Sequence, residues 1–443
     1  MTLPQNALDL AAHVVARAKA LGVDEISVGV SESTNTEISR REQRVEQASS
    51  SSTRRLGLSL LLDGRWSTHS TSDLREDALD VFLRRAVDAT RWLEPDPDRA
   101  LAPAELCGRG TSEAALDHYD RTWDTLSADD RADWAKRLEE AVLARKDDRF
   151  ISASVDFSDG GGKHTQVTSN GFSDATEDAW FSFGGSVTLS DEGGRRPEGS
   201  SHYGARYLSD LPPVDRVAEE AHRRAHEAIG SGPIESGRYP MILANRVAGR
   251  ILGTLAGPID GGSIHHGRTC LGDRLNTAIG SEHLTLIDDP TIPRGLGSTP
   301  WDDDLMVARP RVVIEKGVLR MHYLSTYYAR KLGRPVTTGS ASNWVVSPGP
   351  RDPAELSRAL PKAILVTGWL GGNANPVTGD FSYGIRGKLL EYGEPTKGLS
   401  EMNVTGNIAT IFHQLAEVAN DPWMWSSTRS PTMLFHDVQF SGT

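Results

Sequence analysis

Residues 56–68 read Leu56-Gly57-Leu58-Ser59-Leu60-Leu61-Leu62-Asp63-Gly64-Arg65-Trp66-Ser67-Thr68, and this stretch decides the fold class. Leucines at 56, 58, 60 and 62 alternate, which is the period of a strand with one buried face. Asp63-Gly64 interrupts the pattern, and it resumes at Arg65. Asp-Gly between two alternating runs predicts a hairpin, because both residues tolerate the positive φ of a tight turn. Helical patterns flank this ribbon. Upstream, Leu8, Ala11, Ala12, Val15 and Ala18 predict a helix over Asn6 to Leu21, stopped by Gly22. Downstream, Asp73 with Glu76 reads as a capping box opening a helix to about Trp92. The first module is therefore helix, antiparallel sheet, helix.

Further strands are expected at Val23 to Val30 and over the polar segment Glu37 to Gln47. Ser49 to Thr53 is a polar run that a strand edge or turn explains. Residues Glu94 to Gly110 are rich in Pro, Asp and Ala and read as a loop. Ser127 and Asp130 predict another helix cap, with Trp134, Leu138, Ala141 and Val142 on one face. Short strands with Gly-rich turns at Asp159 to Gly162 and at Gly193-Gly194 are expected next. A helix then runs from Pro212-Pro213 to Ile229. Gly230-Ser231-Gly232-Pro233 is the best boundary in the chain. Beyond it lie a strand at Tyr239 to Leu243 and a helix at Arg246 to Leu255. β-like runs follow at Leu284 to Ile287, Val312 to Glu315 and Lys388 to Glu391. Helices are expected at Ser325 to Leu332 and Asn407 to Ala419. No regular βαβ rhythm appears, so the class is α+β with two lobes. The N-terminal helix and antiparallel-sheet lobe covers residues 1–231, with an internal break near 94–126. The β-rich C-terminal lobe covers 236–443.

The chain has 443 residues, long for one core, which agrees with that division. Its net charge of −12 opposes nucleic-acid binding, and the Arg pairs at 40–41, 54–55 and 195–196 are too short for a phosphate footprint. Two cysteines, Cys107 and Cys270, make no disulfide framework and fit a reducing cytoplasm. The first helix lacks a signal-peptide pattern, and no stretch is apolar for long enough to span a bilayer. A soluble cytoplasmic protein without membrane or nucleic-acid partners is expected.

The usual catalytic motifs are missing: no nucleophile elbow, no phosphate loop, no G-x-G-x-x-G after a strand. His222 and His226 sit four apart on a helix, but Arg223 stands where a zincin needs Glu. They read as half-exposed helix histidines. His265-His266 with Cys270 lies in a Gly-rich loop. Adjacent side chains in extended chain point apart, which disfavours one shared metal. Asp288-Asp289-Pro290 and Asp302-Asp303-Asp304 match no calcium-loop spacing and read as turns. The most unusual stretch is Gly371-Gly372-Asn373-Ala374-Asn375-Pro376-Val377-Thr378-Gly379-Asp380-Phe381-Ser382. It is either a loop exposing backbone groups to a peptide or anion, or a structural turn.

Several blocks resemble one family, TldD/PmbA, in its order and along nearly the whole chain. They are Arg40-x3-Arg44-Val45-Glu46-Gln47, Gly57-Leu58, Asp63-Gly64-Arg65 and Ser70-Thr71-Ser72-Asp73-Leu74 in the first module. Later come Leu286-Ile287-Asp288-Asp289-Pro290, Tyr328-Ala329-Arg330-Lys331-Leu332-Gly333 and Asn375 to Ser382. Ser430-Pro431-Thr432-Met433-Leu434 and Phe440-Ser441-Gly442 close the series. The resemblance implies pairing of two branches into a heterodimer. One branch, TldD, binds zinc through H-E-x-x-x-H and a downstream cysteine. Here the matching helix reads Leu252-Gly253-Thr254-Leu255-Ala256-Gly257-Pro258-Ile259, without His or Glu, and Pro422 to Ser430 holds no Cys. The chain thus resembles the TldE (PmbA) branch. That implies a subunit with no catalytic residues and no metal of its own, zinc being held by a TldD-like partner. The complex would cleave unfolded or extended peptides. The family's older description as a modulator of DNA gyrase is not explained by direct DNA contact, given the acidic balance. The residues chosen for peptide contact are Asn375, Thr378, Gly379, Asp380, Phe381 and Ser382, with His265 and His266. Two rival readings stay open: a stand-alone metal-dependent hydrolase built on His265, His266 and Cys270, and a homodimeric peptide-binding scaffold.

Overall fold

The computed structural model describes residues 6–443. Helix α1 (Ala7–Ala20) opens on Asn6, whose side chain accepts the Asp9 N–H at 2.8 Å. Six strands follow with their helices: β1 (Glu25–Arg41), β2 (Arg44–Leu62), β3 (Arg65–Thr71), α2 (Glu76–Thr90), α3 (Glu113–Leu116), α4 (Thr122–Thr125), α5 (Ala128–Leu143), β4 (Phe150–Thr168), β5 (Ser173–Leu189), β6 (Glu198–Ala205) and α6 (Val214–Glu227). The strands form one antiparallel sheet in the order β3-β2-β1-β4-β5-β6. The Asp63-Gly64 hairpin is present, with φ of 50° and 72° at its two turn residues.

A second hairpin was not legible as a turn. Glu42 and Gln43, at φ 53° and 61°, reverse the chain inside the polar segment that reads as continuous strand. Two polar residues thus take a conformation that usually favours Asn or Gly. The Ser49 to Thr53 run lies in β2 opposite β1. Hydroxyls pair across the strands there: Ser33 with Thr53 at 2.9 Å, and Thr34 with Ser52 at 2.8 Å.

One face of this sheet carries two apolar clusters. Helices α1 and α2 cover Val28, Val30, Leu56, Leu58 and Leu60. Helices α5 and α6 cover Val155, Phe157, Phe181, Phe183 and Val187. The Ser127–Asp130 capping box is present at α5. The capping box expected at Asp73 and Glu76 is not. Helix α2 starts after Arg75 without a side-chain cap, and Asp73 instead binds the Arg75 backbone N–H and guanidinium. Asp159 to Gly162 is likewise no turn. It lies in mid-strand of β4, and its glycines admit large neighbours. A Cβ at Gly161 would stand 3.0 Å from the Trp123 ring, and one at Gly162 only 2.7 Å from the Glu32 carbonyl.

The C-terminal half contains β7 (Gly237–Leu243), α7 (Asn245–Gly253), α8 (Gly261–His265), β8 (Leu286–Asp288), β9 (Arg311–Glu315), β10 (Val318–Leu319), α9 (Thr326–Leu332), β11 (Trp344–Val346), α10 (Pro353–Arg358), β12 (Ala363–Ala374), β13 (Asp380–Glu391), β14 (Glu394–Asn407), α11 (Ile408–Ile411), β15 (Leu415–Val418), β16 (Thr428–Arg429) and β17 (Met433–Ser441). One six-stranded sheet runs β14-β13-β12-β7-β17-β15. β14 also pairs with β17, so five of its strands close into a barrel. A smaller sheet, β10-β9-β8-β11-β16, shares its core with the barrel. The helix expected over Asn407 to Ala419 is a correction. Helix α11 spans four residues, a 3-10 turn follows, and Leu415 to Val418 joins the barrel sheet as β15. Ile408, Ile411, Phe412, Leu415 and Val418 are all buried in one core, so helical spacing arose from two element types facing the same interior.

The halves are tied by charge and aromatic stacking. Arg246 on α7 pairs with Glu220 on α6 at 2.8 Å and lies over Tyr203 and Trp423, 4.5 Å and 4.4 Å from their ring centres. Lys331 on α9 reaches Asp96 at 2.9 Å and Asp98 at 3.0 Å.

Candidate functional site

Helix α7, its C-terminal turn and the β12–β13 hairpin enclose a cleft of ≈ 370 Å³ lined by Arg250, Thr254, Gly257, Pro376 and Tyr383 among others. The hairpin turn is residues 375–379, and its shape follows from side-chain capping. Asn375 Oδ1 accepts the N–H of Val377 at 2.9 Å and of Thr378 at 3.3 Å. The Gly379 N–H returns to the Asn375 carbonyl at 2.8 Å, with Gly379 at φ 84°. Asn407 clamps the far side: its Nδ2 donates to the Thr378 carbonyl and to Asp380 Oδ1, each at 2.9 Å. The Asn407 and Thr378 hydrogen bonds hold the Asp380 carboxyl below the usual carboxylate range.

The hairpin candidates therefore divide by burial. Asn375, Thr378, Asp380 and Ser382 are exposed. Gly379 is buried, and the Phe381 ring packs inward, stacked on Tyr383 at 5.7 Å. The cleft wall also holds residues that sequence reading did not single out. Arg250 lies 4.5 Å over the Tyr383 ring and donates to the Gly372 carbonyl at 3.0 Å. Its place on α7 one turn after Arg246 was a readable sign of a polar helix face.

His265 and His266 are exposed at the end of α8. Their rings lie 4.8 Å apart and 6.2 Å and 6.4 Å from Tyr328 on α9. Neither lines the cleft. Cys270 comes closer, since its N–H donates to the Pro376 carbonyl at 2.8 Å. Burial raises its thiol pKa, which keeps it protonated. His222 differs from expectation. It is 6% exposed rather than half-exposed, donates Nε2–H to the Val142 carbonyl at 2.8 Å, and stacks on Phe150. The acidic pairs serve structure. Asp288 accepts from Tyr323 and Ser342, and Asp302 accepts from Thr338, Gly339, Asp304 and Met306.

A zinc ion needs three or more His, Cys, Asp or Glu donors converging on one point. Among the described residues no such group exists. The cleft offers Arg250 and Thr254 instead, a cation and a hydroxyl, so its donor set does not fit zinc.

An antiparallel sheet under helices, a barrel behind it and a cleft between helix and hairpin define a class of protein that is found elsewhere. Family models for PmbA/TldA metallopeptidases match three parts: domain 1 over 27–90, the central domain over 121–229 and the C-terminal domain over 236–442. The metalloprotease PmbA of Escherichia coli O157:H7 is 28% identical over 426 residues, covering 95% of this chain and 92% of that one. A crystal structure from Bacteroides thetaiotaomicron, described as a candidate modulator of DNA gyrase, is 33% identical. It covers 99% of this chain and 100% of its own, with a TM-score of 0.94. TldE from Thermococcus kodakarensis shares the fold at a TM-score of 0.87, 19% identity, and 98% and 100% coverage. The chain belongs to the PmbA/TldD metallopeptidase family. That kinship supports a part in peptide cleavage. Among the described residues no helix is long and apolar enough to cross a membrane.

Proposed function

We propose that this chain is a TldE-type subunit of a peptidase, without a metal of its own, which pairs with a TldD-like, zinc-bearing chain and helps to hold an extended peptide. The observation that carries this reading is the α7 cleft. The segment Leu252 to Ile259, which resembles the zinc helix of the sister branch, gives the cleft Gly253, Thr254 and Gly257 beside Arg250, and among the described residues no three ligating side chains converge on one point. A cleft so furnished can bind main-chain carbonyls and carboxylates but cannot activate water through a metal. The exposed hairpin side chains Asn375, Thr378, Asp380 and Ser382 stand beside it and supply donors and acceptors to an extended main chain. His265 and His266 lie on the neighbouring short helix, and we assign them a secondary contact at the rim.

The test is reconstitution with a TldD-like subunit and an extended peptide substrate. The double variant Asn375→Ala/Asp380→Ala is expected to lower kcat/KM by about ten-fold, as loss of one or two positioning hydrogen bonds would. Zinc content of the complex should not change. Unaltered kcat/KM would remove the hairpin from peptide contact. Hydrolysis by this chain alone would overturn the subunit reading.

A further inference from the structure

Strand β6 is the outer strand of the N-terminal sheet and pairs with β5 on one side only. In an antiparallel strand the N–H and C=O of one residue face the same side, and that side alternates along the chain. Glu198, Ser200 and His202 therefore share an edge. Each of their carbonyls accepts from an arginine. Arg386 of β13 donates to Glu198 at 2.7 Å, Arg224 of α6 donates to Ser200 at 2.7 Å, and Arg246 of α7 donates to His202. Three guanidinium groups from three elements thus converge on the rim of a cavity of ≈ 300 Å³ between the two halves.

The cavity's lining side chains carry more cations than anions: Arg224, Arg246, Arg386 and Lys388 against Glu198 and Glu227, the latter shared with Arg223. Arg246 is neutralised by Glu220, and Lys388 by Glu227, each at 2.8 Å. Among the described residues, Arg224 and Arg386 form no ion pair with any carboxylate, and each makes one hydrogen bond, to a carbonyl. A guanidinium has five N–H donors, so both retain unused ones. Burial, followed by repulsion from Arg246, lowers the Arg224 pKa to about 10, and attraction from Glu220 offsets only part of it. In a chain of net charge −12, two arginines without an ion pair facing one cavity, with Glu198 the one carboxylate of its lining that pairs with no cation among the described residues, run against the overall balance. The ring of Trp369 and the side chain of Leu399 line the same cavity and offer an apolar wall.

We propose that this cavity binds an oxyanion, a carboxylate or phosphate on a small organic group, held by the guanidinium groups of Arg224 and Arg386 with its organic part against Trp369. Arginine suits both anions because its planar fork donates two parallel hydrogen bonds. The proposal stands apart from the α7 cleft and from any role in peptide cleavage, and its test uses binding alone.

Calorimetric titration of the full chain with three probes decides it: inorganic phosphate, N-acetylphenylalanine, and N-acetylphenylalanine amide, which lacks the charge. Binding of phosphate or of the free acid, with no binding of the amide, is the expected result. Tighter binding of the acid points to a carboxylate ligand, and tighter binding of phosphate to a phosphate ester. Arg224→Gln and Arg386→Gln should each weaken the bound probe by about ten-fold or more, the loss of one charge-assisted hydrogen bond. Arg224 also caps the β6 edge, so its variant can unfold. Arg386 is part-exposed on β13, and Arg386→Gln with an unchanged unfolding midpoint keeps the test decisive. Failure of both anions to bind, equal binding of the amide, or unchanged affinity in Arg386→Gln would overturn the proposal.

Discussion

Arg246→Ala is expected to destabilise the protein by about 3 kcal/mol, the lower end of what removing one partner of a buried ion pair costs, because Arg216 still faces Glu220 at 3.3 Å. The side chains of Arg246 and Glu220 are only 15% and 17% exposed. Without that guanidinium, Glu220 keeps the hydroxyls of Ser201 and Tyr203, at 2.7 Å each, and a longer pair to the half-exposed Arg216 at 3.3 Å. The flat group lying over the adjoining rings of Tyr203 and Trp423 is lost as well, and with it two cation–π contacts of about 1 kcal/mol each. These contacts join α6 of the N-terminal half to α7 of the C-terminal half. Calorimetry should show the midpoint falling by about 3–5 °C and the transition broadening toward two steps. Arg246→Lys keeps the charge but not the stacked plane, and should recover less than half of the loss. The pair also sets an acid limit. Burial raises the Glu220 pKa, but the hydrogen bonds from Ser201, Tyr203 and Arg246 outweigh it and bring it down to about 2 from 4.5. A depressed carboxylate stabilises above its unfolded pKa and loses that contribution as protons bind the folded form. This part of the stability is therefore full at neutral pH and disappears between about 4.5 and about 2. In Arg246→Ala the same acid interval should cost less.

Asp159→Ala should cost a similar amount, about 3–5 kcal/mol. The carboxylate lies in mid-strand of β4 with 1% of its side chain exposed. It accepts from Arg131 Nε at 2.6 Å, Arg131 Nη2 at 2.8 Å and Trp123 Nε1 at 2.9 Å. Alanine would strand a guanidinium that is 12% exposed and an indole N–H beside it. Replacing both charges, as Asp159→Leu/Arg131→Met, should restore most of the stability, because the cost lies in the orphaned charge. Chemical denaturation of the single and double variants measures both. A single variant within about 0.5 kcal/mol of the parent would show that Arg131 finds solvent elsewhere.

The same aspartate shows where the sequence could be read and where it could not. Asp-Gly-Gly-Gly at 159–162 carries every local mark of a turn. Its glycines are there because the Asn35 and Trp180 side chains, Trp123 and the neighbouring β1 backbone approach closely, and its acid because Arg131 comes from a helix 28 positions earlier. Neither partner is visible in a local window. The Asp63-Gly64 hairpin, the first helix and the Ser127 capping box were legible since each is decided by neighbours in sequence. Glu42-Gln43 was missed because the long β1–β2 register imposes its turn, not the turn's own residues. At the candidate site, the unusual Asn375 to Ser382 stretch could be found from composition. That Phe381 faces inward while Asn375 and Asp380 face outward could not, and neither could the nearness of Arg250, which depends on how α7 packs on the barrel.

Metal content of the purified full chain, measured by elemental analysis after mild dialysis, tests the central claim most directly. The expected result is no stoichiometric zinc, with zinc appearing in the complex only when a TldD-like subunit is added. Close to one zinc per chain would contradict it. His265, His266 and Cys270 would then have to rearrange into a ligand set, since among the described residues no such group is assembled.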